Sequence, residues 1–274
     1  MLQAWGDDGA DNRGSLRNSP ALKVDLRIGY SMAFRVCLLL YSELKSSAGH
    51  FQEPPCGTAI KRMDENPMNK KQAKQFQDMI LRYSQETDET GRKLVEAELW
   101  TEYGAELVVF VLDMSGFSLL TRKYGIVHYL SMVRRMQLIT EPIVKSYGGS
   151  MIKYEADNCF AVFPDPLSAV NAAISMQHAF NAANLLSSDD LDIHIACGID
   201  YGKLLIIGHD ECFGDPVNRA SKMGEDIAAA GEILVTKEAM QMIPADAGIK
   251  AHEISVSISG ITIPAFAIEY RTEE

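Results

Sequence analysis

Positive charge is what this sequence is short of. Lysine and arginine together number 26 against 37 aspartates and glutamates, a formal net charge of -11. No basic stripe is available to neutralise a phosphate backbone, which argues against a nucleic-acid partner. An acidic chain can still take an anionic nucleotide where metal ions supply the positive charge. Cysteine offers no scaffold either: there are five, an odd number, and none in CxxC spacing. Cys159 and Cys197 fall inside apolar strand patterns and read as buried free thiols, so a reducing, cytoplasmic setting is expected. Long apolar runs are also missing. The longest near the N-terminus, Ile28 to Tyr41, is too short for a bilayer and carries Arg35. It lies far from Met1 and has no clear small-residue cleavage site, so neither a signal peptide nor a transmembrane segment is expected.

What is present suits a globular chain. With 47% hydrophobic and 23% charged residues over 274 positions, it has material for one large domain or a domain with an extension. Residues 1–66 differ from the rest. "GDDGADNRGSLRNSP" is rich in Gly, Asp, Asn and Ser and reads as disordered, and "GHFQEPPCG" reads as a loop. Leu22 to Leu44 between them reads as a short amphipathic helix or strand. A helical linker is expected over 67–104. There Phe76, Ile80 and Tyr83 fall at i, i+4 and i+7, and Leu94, Glu98 and Trp100 belong to a second helical piece.

From 105 to 274 strands and helices alternate. The pattern predicts a strand at 106–113, helices at 117–124 and 126–147, and a hairpin at 150–155/158–163. A helix at 166–185 follows, with Leu167, Val170, Ile174, Gln177 and Phe180/Asn181 on one face. Strands are then expected at 192–200 and 203–208, a helix at 214–229, a strand at 232–235 and a short helix at 236–243. Two closing strands are expected near 249–256 and 263–270. The hairpin interrupts strict βαβ alternation, so an α+β fold follows, a mostly antiparallel sheet with helices packed on one face.

Two aspartates stand at the ends of apolar strands. "VVFVLDMSGFS" is a buried strand that stops on Asp113. A carboxylate there needs a partner, unless it simply caps the helix expected near Ser118. "SMIKYEADNCFAVF" places Asp157 at a hairpin tip, where Asp-Asn is also an ordinary turn pair. If that hairpin pairs beside the first strand, Asp157 meets Asp113. Two such carboxylates repel unless hard cations bridge them, and oxygen ligands suit Mg²⁺ or Mn²⁺. Two ions about 3.5–4 Å apart could activate a hydroxyl and hold a triphosphate. A third stretch, "HDECFGDPVNRASKMGED", sets Gly214 and Pro216 at a tight helix start. It puts Asn218 and Lys222 at i, i+4, which is otherwise the spacing of a plain solvated face.

In this order, "FVLDMSGFS", "IKYEADNCFAVF", "GIDYGKLLIIG" and "FGDPVNRASKM" make residues 106–243 resemble the class III adenylyl/guanylyl cyclase catalytic domain. The resemblance implies a ferredoxin-like core and a homodimer whose active sites form between subunits. It implies that Asp113 and Asp157 hold two metal ions per site, Mg²⁺ or Mn²⁺, with the Met114, Ser115, Gly116 and Phe117 backbone near the phosphates. It also implies that Lys153 and Glu211 read adenine, that Asn218 orients the ribose and that Lys222 stabilises the pentavalent phosphate. The sequence departs from the family at three places. Glu211 stands where Asp is usual, and Lys222 where Arg is usual, which loses the planar fork. "VSISGITIPAF" lacks the phosphate-binding lysine common there, and the nearest, Lys250, lies well before it. The function implied is an adenylate cyclase converting ATP to 3′,5′-cyclic AMP and pyrophosphate. The alternative is a cyclase-homology module that binds nucleotide or dimerises with little turnover.

Overall fold

The computed structural model describes residues 70–270 apart from His209 and residues 259–260. The expectations for residues 1–66 lie outside the described residues. The chain divides into two compact units, residues 1–49 with 182–192, and residues 50–181 with 193–274. Of the first, the described part is the end of one helix and a 3-10 turn, Asp189–Leu191, where Ser187 Oγ donates to Asp192 Oδ1 at 3.3 Å.

Two helices lead in, α1 (Lys70–Gln85) and α2 (Glu89–Tyr103), the latter capped by Asp88, whose carboxylate accepts from the Thr90 and Gly91 amides. The first strand, β1 (Gly104–Met114), follows without a loop. Then come α3 (Phe117–Tyr124), α4 (Ile126–Ser146), β2 (Ser150–Glu155), β3 (Asn158–Phe163) and α5 (Pro166–Asn184). Strand β4 (Ile195–Ile207) and the short β5 (Glu211–Phe213) lead to α6 (Asp215–Ser221), which continues into a π-helical turn over Lys222–Ile227. β6 (Ile233–Thr236), α7 (Lys237–Met240), β7 (Lys250–Ile258) and β8 (Ile261–Glu269) complete the order.

The strands form one sheet in the order β2-β3-β1-β4-β6-β8-β7, with β5 added to β4. Every pairing is antiparallel except β4 with β6. The expected mostly antiparallel sheet is therefore present, and β1 is interior to it. Val108 through Leu112 are all within 1% of full burial, which explains the five apolar residues in a row before Asp113.

Residues opposite one another across the sheet share a face. On one face lie Leu112, Cys159 and Tyr154, and there α4 packs, its Thr140 hydroxyl 2.9 Å from the Tyr154 hydroxyl. Tyr147 at the end of α4 ties to Ser175 of α5 at 2.7 Å. On the other face Leu107, Val109, Val111, Phe160, Val162 and Leu204 form a core with Ala220 of α6. The main helices thus share one face, and α6 with its π-helical turn roofs part of the second.

β4 departs from expectation. In place of two strands, 192–200 and 203–208, it is one strand of 13 residues. Gly202 pairs with Leu107 within the ladder, and a Cβ there would stand 2.8 Å from the Pro216 ring. The glycine marks a close approach rather than a turn. The expected helix over 214–229 is shorter and changes pitch at Lys222.

Candidate active site

The second face is built for a helix lying unusually close. Along β4 its residues are Ala196, Gly198, Asp200, Gly202 and Leu204, small ones alternating with the buried strand partners behind. A Cβ on Gly198 would sit 2.1 Å from the Ala220 carbonyl oxygen and 2.6 Å from the Gly224 nitrogen. Gly224 in turn would meet Val111 O at 3.0 Å. The contacts step from Leu204 beside Gly214, to Gly202 beside Pro216, to Gly198 beside Ala220 and Gly224. The α6 segment therefore runs along β4 toward the end of β1 that carries Asp113.

Asp113 is the penultimate residue of β1, on this face, and half-buried. It does not cap α3: the N-cap is Gly116, at φ 78, and no side chain caps that helix. Asp157 belongs to the two-residue turn between Glu155 and Asn158, and β3 pairs directly with β1. That pairing brings the two carboxylates together. Burial first, then the charges of Asp157, Glu225 and Asp226, push the Asp113 carboxyl up to about 7. Burial likewise raises Asp157. Among the described residues neither carboxylate has an ion-pair partner. The turn itself is strained, because Ala156 beside Asp157 has φ 53.

Lys153 and Glu211 also meet, their Nζ and Oε2 3.4 Å apart, with Glu155 closer to the ammonium at 2.9 Å. The Lys153 ammonium sits 5.4 Å from the Phe160 ring centre. The hydrogen bond it donates to Glu155 raises its pKa, outweighing burial, so it stays charged. Asn218 and Lys222 both stand exposed on α6 and its continuation. Lys222 is ion-paired with Asp226 in the same chain. Of the backbone after Asp113, the Ser115 N–H donates to the His194 carbonyl at 2.8 Å, and Phe117 packs on Tyr129 with ring centres 3.9 Å apart. Among the described residues no group of three or more His, Cys, Asp or Glu is arranged to hold a metal ion by itself.

Solved structures with this architecture carry a name. No protein-family profile matches the chain, and no curated protein does. The catalytic core of a rhodopsin-guanylyl cyclase with converted specificity, in complex with ATPαS, matches at TM-score 0.53 and 20% identity. That match covers 62% of this chain and 99% of the other. The guanylate cyclase domain of RhGC from Catenaria anguillulae, in complex with GTP, matches at 0.53 and 20%, over 61% and 97% of the two chains. The adenylyl cyclase CyaB from P. aeruginosa matches at 0.53 and 20%, over 61% and 94%. The fold is that of a class III nucleotidyl cyclase catalytic domain.

Within this cyclase fold, several residues beyond those expected from the sequence shape the site. Glu225 and Asp226 add their charge to Asp113, and only a π-helical turn puts them there. Asp200 is fully buried yet holds Arg219 Nε at 2.5 Å and accepts from Thr236 Oγ1 at 2.5 Å and its neighbour's amide at 2.8 Å. That pair bolts α6 to β4 and β6. An aspartate in the apolar alternation of "HIACGID" was the available signal, and a cation one helical turn into "VNRAS" was its complement. Among the described residues no helix is long and apolar enough to cross a membrane.

Proposed function

We propose that the chain is an adenylate cyclase that converts ATP to 3′,5′-cyclic AMP and pyrophosphate at composite sites of a homodimer. The observation that carries this reading is the Asp113–Asp157 pair, two half-buried carboxylates each raised by burial, with the charge of Asp157 adding to the cost of ionising Asp113. Such a pair is a poor structural device and a good cation site. It fits Mg²⁺ or Mn²⁺ bound by a pair of carboxylates while substrate phosphates supply further oxygens, as small hard cations prefer. Divalent ions held there would acidify the ribose 3′-hydroxyl and neutralise the triphosphate.

The chain's own groups do the rest. Lys153, kept protonated, donates to adenine N1, and Glu211 accepts from the exocyclic amine. Guanine presents N1–H to that lysine, which favours ATP. Asn218 orients the ribose, and Lys222 offsets charge on the α-phosphate. Among the described residues the amides of Gly116 and Phe117 are left to meet an anion at the head of α3. Asn218 and Lys222 face outward, which suits service in the partner's site by two-fold symmetry.

The test is the purified chain with ATP or GTP and Mn²⁺, products separated by chromatography. Cyclic AMP formation that vanishes in Asp113→Asn supports the reading, and unchanged turnover in that variant overturns it. The Lys222–Asp226 pair and the missing lysine in "VSISGITIPAF" favour a second reading, a nucleotide-binding or dimerising module. That reading is supported if the parent binds nucleotide and yields no cyclic product.

A further inference from the structure

Strand β5 is only three residues long, and one of them is Glu211. Among the described residues it pairs only with β4, through Leu205–Phe213, Ile206–Cys212 and Ile207–Glu211. Side chains alternate across such a ribbon, so Leu205, Ile207, Glu211 and Phe213 share one side. Ile206 and Cys212 take the other, and Cys212 is buried in the sheet's core. A ribbon this short does not hold its own geometry. Something must fix the side that carries Glu211.

The helical hairpin α1–α2 does so. Ile207, the cross-strand neighbour of Glu211, is buried in a cluster with Val95, Leu99 and Tyr103, against which Phe76, Met79 and Leu205 pack. Phe213 stacks on Phe76, ring centres 6.1 Å apart and planes 4° from parallel. Phe76 is locked in turn by Tyr103, edge-on at 5.1 Å and 84°. Three of the four side chains on this side of the ribbon are therefore held by the hairpin, and the fourth is Glu211. The Phe213 ring is still 48% exposed, so its orientation rests on that one stack rather than on enclosure.

We infer that the α1–α2 hairpin is part of the purine-selecting apparatus: Phe76, through Phe213, is a positioning residue for Glu211. This rests on the base-reading role proposed above for Lys153 and Glu211. A carboxylate reads a base edge only if held to a fraction of an ångström, and a displacement of about 1 Å costs up to about a hundredfold. Loss of the stack leaves Lys153 and the carboxylate pair in place and loosens only the glutamate. ATP and GTP then become more alike as substrates.

The experiment compares parent, Phe76→Ala, Phe76→Tyr, Phe213→Ala and the double variant Lys153→Glu/Glu211→Cys, all as the full chain. The readout is the ratio of ATP to GTP, as kcat/KM and as dissociation constants from titration calorimetry, so slow turnover does not block it. A ratio does not change when part of a preparation is unfolded, which separates positioning from stability. Phe76→Ala and Phe213→Ala should each lower the ratio by about tenfold, within the range above. Phe76→Tyr, which keeps the stack, should restore it. If the double variant shifts the ratio and the two alanine variants do not, the positioning role is overturned while base reading stands. If the double variant leaves the ratio unmoved, base reading is overturned, and this inference with it.

Discussion

Asp113 carries a cost that can be measured without substrate. Its folded pKa, pushed up to about 7 chiefly by burial, exceeds the ordinary 3.8. The folded chain therefore holds this proton longer than the unfolded chain, and the associated stability is complete below the unfolded value and lost as pH rises through 7. Asp113→Asn removes the loss. In EDTA the variant should melt higher than the parent at pH 8, by ~1–2 kcal/mol, after discounting about 1.4 kcal/mol per pKa unit for solvent contact. The gap should close toward pH 4.5, and Mn²⁺ should raise the parent more than the variant. A gap that ignores pH would show that the carboxylate's burial is relieved by some other group. Ala156 carries a separate cost. With φ at 53 it occupies a left-handed conformation that disfavours a side chain. Ala156→Gly should stabilise the chain by about 1 kcal/mol in urea denaturation, since a glycine there escapes a penalty of that order. Destabilisation would mean that unfolded-chain entropy outweighs the strain.

At the scale of elements, α6 sits where it does because Gly198 and Gly224 let backbone meet backbone. Gly198→Ala would place a methyl 2.1 Å from the Ala220 carbonyl oxygen, a backbone atom that cannot swing away. The helix must lift, so we expect a loss of about 1–3 kcal/mol in denaturant melts and of turnover beyond what unfolding explains. Gly116→Ala, where a Cβ meets nothing within 4 Å but φ is 78, should cost backbone strain alone. Why some of this was legible in the sequence and some was not comes down to period. β1, α3 and the β2–β3 hairpin have one reading each, because a five-residue apolar core, a Gly-bounded octet and an Ala-Asp turn admit no other phase. In α1, "MILRY" offers three apolar residues in a row, and periodicity cannot choose among stripes. The expected set was Phe76, Ile80 and Tyr83, but Phe76 and Met79 face inward, and Ile80 and Tyr83 are 43% and 39% exposed. Tertiary contact with Tyr103 and Ile207 made the choice. The same holds for α2, where Val95, Leu99 and Tyr103 are buried and Leu94 and Trp100 are not. In the candidate site, the meeting of Asp113 and Asp157 was legible because one ends an apolar run and the other tips a hairpin between two apolar strands. Glu225 and Asp226 were not, since a change of helical pitch has no residue signature.

At the scale of the whole molecule the question is whether the proposed site closes within one chain or between two. Asp113 and Asp157 are drawn together within a chain, whereas Asn218 and Lys222 stand exposed on a helix fixed to the sheet by the Asp200–Arg219 pair. If the proposed composite site is right, Asp113→Asn and Asn218→Ala homodimers are each nearly inactive, since each lesion strikes both sites. Mixed in equal amounts with free exchange, about half the dimers are heterodimers by symmetry. In each of these, one site collects both lesions and the other none. Activity in the mixture should return to about a quarter of the parent level. A site closed within one chain gives no recovery on mixing, because every chain then carries a lesion in its own site. The dependence on dilution gives an independent check. Recovered activity should fall as the mixture is diluted through the dimer dissociation constant, and single-chain catalysis would leave specific activity flat.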